Sequence, residues 1–385
     1  MASSRPLVIV GGGLAGAASA CLLARAGRPV CLIERERHAK HKVCGEFLSY
    51  EAQFYLTELG LDLTKLGATP INRVRLLRKG QSVVADLPFR GISLSRHVLD
   101  EALLHLATSL GAEVLRGHII REIDLSGEMR LVADDIGELR PEALFLANGK
   151  HEIRGSERKP LATTNDLIGL KSYFRLRPAQ ASALQQHVEI ALFQGGYAGL
   201  QMVEGGLANL CLLVRRERFA SVGQDWQVLL ASLKQESSQL HERLLGAVEE
   251  LDRPLAISRI PYGYIHRPTP GESTVLFRLG DQFAVTPSFS GDGMSIALHS
   301  AFAASAAYLA GDDAATYHRR MRREIGPQIA WARPLAAALL TDIGQAGIMA
   351  LARGMPSLLR FAARMTRLPR LKSWSLPVGL SSIVD

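Results

Sequence analysis

Three glycines, Gly11, Gly13 and Gly16, follow the run Leu7-Val8-Ile9-Val10 and open the small apolar stretch Ala17 to Ala26. No other feature constrains the fold as tightly. Gly11 permits a sharp turn, Gly13 lets backbone approach a pyrophosphate, and Gly16 lets a helix pack closely on a sheet. Gly27 supplies a helix stop, and Val30-Cys31-Leu32-Ile33 reads as the next strand. Strand, helix and strand joined by short turns predict a parallel βαβ unit. The helix N-terminus offers free N–H groups to an anion, so Leu14 and Ala15 join the glycines as candidate binding residues. Glu34 ends the second strand, 21 residues after Gly13, where a carboxylate accepts hydrogen bonds from ribose hydroxyls. In this context the triplet is a dinucleotide-binding fingerprint.

The rest of the chain sets the bounds. At 385 residues, 47% hydrophobic and 21% charged, it reads as globular, with about two domains. No apolar run reaches about 18 residues, so a spanning helix is not expected. The glycine break and the lone Arg5 argue against a signal peptide. Cys21, Cys31, Cys44 and Cys211 match neither a disulfide framework nor a zinc site, and a reducing cytoplasm is expected. The 11 histidines show no His-x-x-x-His pair, so no metal is expected.

The net charge of +8 is carried by Arg319 to Asp385, which hold 11 basic and 3 acidic residues. Within it, Ile348 to Trp374 mixes leucines with arginines, broken by Pro356 and Pro369. Such a stretch can pack its apolar face on the protein or lie peripherally on an anionic membrane. It lacks a nucleic-acid-binding signature, so no nucleic-acid partner is expected.

Further along, Arg73 to Asp86 reads as a hairpin turning at Lys79-Gly80. Leu94 to Leu110 reads as a helix capped by Ser95, and Trp226 to Leu251 as a long helix. Gly280-Asp281 follows the apolar strand Val275 to Leu279. The loop Ser290-Gly291-Asp292-Gly293-Met294 then feeds a helix N-terminus, a second place for an anion or carbonyl.

These segments together resemble FAD-binding oxidoreductases, the group that includes p-hydroxybenzoate-hydroxylase-like monooxygenases (class A flavin monooxygenases), flavin halogenases and geranylgeranyl reductases. The resemblance covers most of residues 5–310. It implies an α/β fold: a Rossmann-like FAD-binding domain of glutathione-reductase type, an antiparallel-sheet substrate domain and C-terminal helices. The expected FAD domain is discontinuous, at 1–70, 92–160 and 270–315, with the substrate domain at 71–91 and 161–269 and the helical segment at 316–385. Glu34-Arg35 looks like the group's adenosine-ribose site, Arg96 like its pyrophosphate-side arginine, and Gly280-Asp281 like its ribityl-binding element. Gly291, Asp292, Gly293 and Met294 would lie beside the flavin's pyrimidine end.

Lys42-Val43-Cys44-Gly45-Glu46 resembles the cysteine-glycine element of the geranylgeranyl reductases, in which the cysteine sits near the flavin. Cys44 therefore has three readings: a buried structural thiol, a flavin-proximal group, or a redox thiol. Tyr197 aligns with the first residue of those enzymes' Tyr-x-Trp-x-Phe-Pro element, but Gly199, Gln201 and Met202 replace the others. Asn148 stands where the hydroxylases carry aspartate, and the Trp-x-Trp-x-Ile-Pro element of tryptophan-type halogenases is not found. Cys44 and Tyr197 are the catalytic candidates; His151 and Glu46 are further proton sources, Glu46 also being placed to pair with Lys42.

The resemblance implies FAD as cofactor, NAD(P)H as electron donor and a bulky, apolar small-molecule substrate. The implied activity is reduction of a C=C bond in an isoprenoid- or polyketide-like compound. The alternatives are hydroxylation of an aromatic or polyketide-like metabolite, or a non-catalytic flavin-bound binding protein.

Overall fold

The strand Leu7–Val10 is apolar at every position and buried on both faces, as the centre of a parallel sheet requires. It pairs in parallel with Val30–Glu34 on one side and Ala143–Leu146 on the other. Leu276–Arg278 and Glu113–Arg116 complete a five-stranded parallel sheet. The computed structural model describes residues 6–158, 166–268 and 271–368.

Alternation sorts the side chains of this sheet. Leu7, Ile9, Leu32, Phe145 and Phe277 face a core with the helices Leu14–Arg25, Arg96–Ser109 and Gly293–Leu309. Val8, Val10, Cys31, Ile33 and Leu144 face a three-stranded antiparallel sheet built by Ile120–Asp124, Arg130–Ala133 and Gly137–Leu139. Ser95 caps the helix Arg96–Ser109 by accepting from the Val98 N–H. The helix Leu14–Arg25 starts at Gly13 with no side-chain cap, so its first N–H groups stay available.

A nine-stranded sheet forms the second layer. Its spine runs through Leu167–Arg175, Ala208–Arg215, Gly196–Met202, Gln186–Phe193, Thr69–Arg78 and Gln81–Ser93. Lys79 and Gly80 turn the last hairpin, both at positive φ. The expected antiparallel arrangement needs one correction, because Gln186–Phe193 runs parallel to Thr69–Arg78. These two strands lie far apart in sequence and are not joined by a hairpin, so no turn forces them antiparallel.

One face of this sheet is covered by the short helices Pro178–Leu184, Trp226–Glu236 and Ser238–Leu244. The expected long helix over Trp226 to Leu251 is thus broken. Ser237 leaves helical geometry and caps the second piece, and the chain re-enters the sheet at Val248–Glu249. The other face meets three helices, Ala314–Leu339, Asp342–Gly354 and Ser357–Met365, which close over the space between the two layers. Arg370, Lys372 and Trp374 of the basic stretch lie outside the described residues.

Candidate functional site

The edge of the parallel sheet and the open face of the nine-stranded sheet enclose one cavity of about 730 Å³. At one end lies the glycine cradle. Gly11 sits at φ +104°, and a Cβ there would come within 2.4 Å of the Ala147 carbonyl oxygen. A Cβ on Gly16 would lie 1.9 Å from the Gly11 carbonyl oxygen, so this glycine serves close packing and does not line the cavity. Gly13, Leu14 and Ala15 do line it. Glu34 is buried, its carboxylate fixed by the N–H groups of Gly12 at 2.5 Å and Glu36 at 2.9 Å. Arg35 reaches the cavity rim, with its guanidinium on Glu36 at 3.1 Å.

Beside Gly13 stands a cationic pair. Arg96 forks onto Asp100 at 2.7 and 2.9 Å, and Lys42 meets the same carboxylate at 2.7 Å. Burial alone would raise Asp100, yet the two cations hold it below the usual carboxylate range. The Arg96 guanidinium lies 3.3 Å, and the Lys42 ammonium 3.9 Å, from where a Gly13 Cβ would sit. Both charges therefore flank the place a pyrophosphate would take. Lys42 pairs with Asp100, not with Glu46 as the sequence suggested.

On the far side, Gly280 adopts φ +53° and Asp281 lines the cavity. Gly291, at φ +70°, lies against the Phe47 ring. Gly293 and Met294 open the helix Gly293–Leu309, whose N-terminus also has no side-chain cap. Asp292 departs from the expectation. It is buried, does not line the cavity, and sits 2.8 Å from Arg367 of the C-terminal segment. Burial pushes its carboxyl up to about 7.

The sheet face supplies the other wall. Cross-strand register puts Lys171, Cys211, Gly199, Ile190 and Leu76 in one row. Tyr197 lies in the next row, paired with Leu213 and Leu192. Its hydroxyl bonds Ser288 Oγ at 2.6 Å and accepts the Phe289 N–H at 3.2 Å. Burial raises its pKa, so it keeps its proton at neutral pH. Gly199 leaves room, since a Cβ there would meet only the Cys211 carbonyl oxygen, at 3.8 Å.

Cys44 lines the cavity from a loop clamped to this wall. Asn209 donates to the carbonyls of Cys44 and Gly45 at 3.2 and 3.0 Å, and Gln201 donates to Gly45 at 2.9 Å. Glu46, at φ +60°, anchors the loop. Its carboxylate pairs with Lys171 at 2.6 Å and accepts from Arg96 N–H at 2.8 Å, Tyr173 OH at 2.7 Å and Asn209 Nδ2 at 2.9 Å. Neither side chain of the pair is exposed. Tyr173 links on to His41 Nδ1 at 3.1 Å, and burial lowers His41 to about 4. His151 lies exposed at the rim, its carbonyl taken by Asn148 and Gln282.

The sequence reading missed Asp100, Lys171, Tyr173, Asn209 and Arg367. A signal existed for some of them. Lys171 in LIGLKSYFR and Asn209 in ANLCLLVR are polar residues inside buried, largely apolar strands. Among the described residues, no group of three or more His, Cys, Asp or Glu is arranged to hold a metal.

The donor set fits FAD. Two uncapped helix N-termini and the Arg96–Lys42 pair suit its anionic and carbonyl groups, while Glu34 and Asp281 suit its hydroxyls. Fold and site thus define an FAD-dependent oxidoreductase. The NAD(P)-binding Rossmann-like domain family matches residues 9–64. A menaquinone reductase of Mycolicibacterium smegmatis is 24% identical over 308 residues, covering 76% of this chain and 73% of that protein. A squalene monooxygenase of Brassica napus is 36% identical over 84 residues, 21% of this chain and 16% of that protein. Among solved structures, the flavin-dependent brominase Bmp2 superposes with a TM-score of 0.76 at 16% identity, covering 98% of this chain and 97% of that one. Pseudomonas aeruginosa PqsL gives 0.69 at 19%, covering 90% and 100%.

Proposed function

We propose that the protein is an NAD(P)H-fed flavoenzyme that reduces a carbon–carbon double bond in a bulky apolar substrate of isoprenoid or polyketide type. The continuity of the cavity carries this reading. It runs from the glycine cradle into a chamber walled by Val74, Leu76, Ile190, Leu213, Leu339 and Ile348. Gly199 enlarges that chamber where the geranylgeranyl reductases place tryptophan. The menaquinone reductase relatives support a lipophilic substrate.

Gly11, Gly13, Leu14, Ala15, Glu34, Arg35, Arg96, Gly280, Asp281, Gly291, Gly293 and Met294 would hold FAD, with Gly16 packing the cradle. When bound, FAD supplies the hydride chemistry. The chain's own part is to exclude water, orient the double bond and deliver one proton. Tyr197 lines the chamber and keeps its proton, with its hydroxyl held by Ser288 and the Phe289 N–H. Cys44 is presented to the same space by Asn209 and Gln201.

Anaerobic turnover of holoenzyme with NAD(P)H and menaquinone tests the reading. A product that stays two hydrogens heavier after its ring is reoxidised to the quinone supports it, and Tyr197→Phe should slow its formation at least about tenfold. Hydroxylation is the second reading, favoured by the similarity to squalene monooxygenase. Product that forms only in air and carries label from labelled oxygen would establish that reading and refute the reductase.

A further inference from the structure

The three C-terminal helices have two contrasting faces. Their inner sides give Leu335, Leu339, Ile348, Leu359 and Ala363 to the cavity. Their outer sides also carry large apolar residues. Ile343 is 87% exposed, Leu351 63%, Met355 55%, Phe361 53% and Trp331 51%. In the helix Asp342–Gly354, Gln345, Met349 and Ala352 form the buried stripe. Ile343, Gly347, Ala350 and Leu351 occupy the opposite, exposed side, and no charged residue lies between Ile343 and Ala352. A helix apolar all round is normally covered on all sides. Ala314–Leu339 and Asp342–Gly354 together are apolar enough to span a bilayer, but they bend by 109° and instead make an apolar elbow.

The charge along this segment is almost all of one sign. Exposed Arg333, Arg353, Arg360 and Arg364 flank it. Between Ile325 and Leu368 Asp342 is the single acidic residue, and Arg78 and Lys79 each meet it at 2.9 Å. Apolar side chains ringed by arginines complement an anionic bilayer, whose headgroups take the cations while the acyl boundary takes the side chains.

We infer that the helical layer over residues 330–364 docks on an anionic lipid surface, so that an apolar substrate passes from the bilayer between these helices into the cavity. The passage rests on the proposed lipophilic substrate; the docking does not. The helices that close the chamber are the ones that would touch the lipid, so the substrate need not cross water.

Co-sedimentation of the full-length, FAD-loaded chain with vesicles tests the docking. Phosphatidylcholine vesicles are compared with vesicles containing about 30% phosphatidylglycerol. Binding to the anionic vesicles, weakened several-fold by added salt, is expected. Ile343→Ser with Leu351→Ser should weaken it at least about tenfold, because the two side chains carry much of the exposed apolar area. Neither residue lines the cavity, so FAD content and circular dichroism should stay unchanged. Absence of binding to either vesicle would overturn the inference. So would a dimer in sedimentation velocity that the double variant dissociates, since the face would then belong to a second copy. A chain that binds vesicles but reduces no double bond would keep the docking and refute only the proposed reaction.

Discussion

Replacing Lys171 by methionine isolates the buried ion pair behind the Cys44 loop. Lys171 and Glu46 are both fully buried, 2.6 Å apart. Methionine keeps the length of the side chain and removes the charge. Glu46 then remains in the interior with three donors and no cation. Breaking a buried pair from one side costs about 3–5 kcal/mol, a large part of the 5–15 kcal/mol that holds a typical domain folded. Burial already raises the Glu46 pKa despite Lys171, so the variant raises it further. The pH dependence follows. A carboxyl whose folded pKa exceeds its unfolded value contributes stability that is present below the unfolded pKa, near 4.3, and lost as pH rises through the folded pKa. Lys171→Met should therefore be more stable at pH near 5 than near 8, more steeply than the parent. Urea unfolding across that range measures it. Adding Glu46→Gln should restore most of the loss, because a neutral amide costs less to bury. A loss below about 1 kcal/mol in the single variant, or a double variant no better than the single, would refute the reasoning.

Other perturbations have defined outcomes. Gly11→Ala forces a side chain onto the Ala147 carbonyl at positive φ, and the purified protein should retain at least about tenfold less FAD by absorbance. Gly199→Trp should keep FAD but raise KM for bulky substrates about tenfold, because the backbone tolerates a side chain that fills the chamber. Asp292, held near 7 when folded, contributes stability that is present below pH about 4 and lost as pH rises through 7. Asp292→Asn should flatten that part of the melting-temperature profile.

The legible parts of the molecule were local ones. The glycine spacing, the β-branched strand before it and Glu34 after it lie within one βαβ unit, and short-range sterics fix their geometry. The hairpin at Lys79-Gly80 and the Ser95 cap were visible for the same reason. The Glu46 anchor was not. Its partner Tyr173 is 127 residues away and Asn209 is 163, so only strand register brings them together. Asp292 misled because a carboxylate in a glycine loop reads as a ligand, whereas Arg367, 75 residues on, turns it inward. The break at Ser237 was hidden because leucine periodicity continues across it.

In the proposed reaction one cavity holds FAD and brings an apolar double bond to it. Anaerobic mixing of NAD(P)H-reduced holoprotein with menaquinone, followed by flavin absorbance, tests it most directly. Oxidised flavin is expected to return without oxygen, in step with a product that still carries two added hydrogens after its ring is reoxidised to the quinone. Flavin that stays reduced until oxygen is admitted, or a protein that purifies without FAD and takes none up, would contradict it.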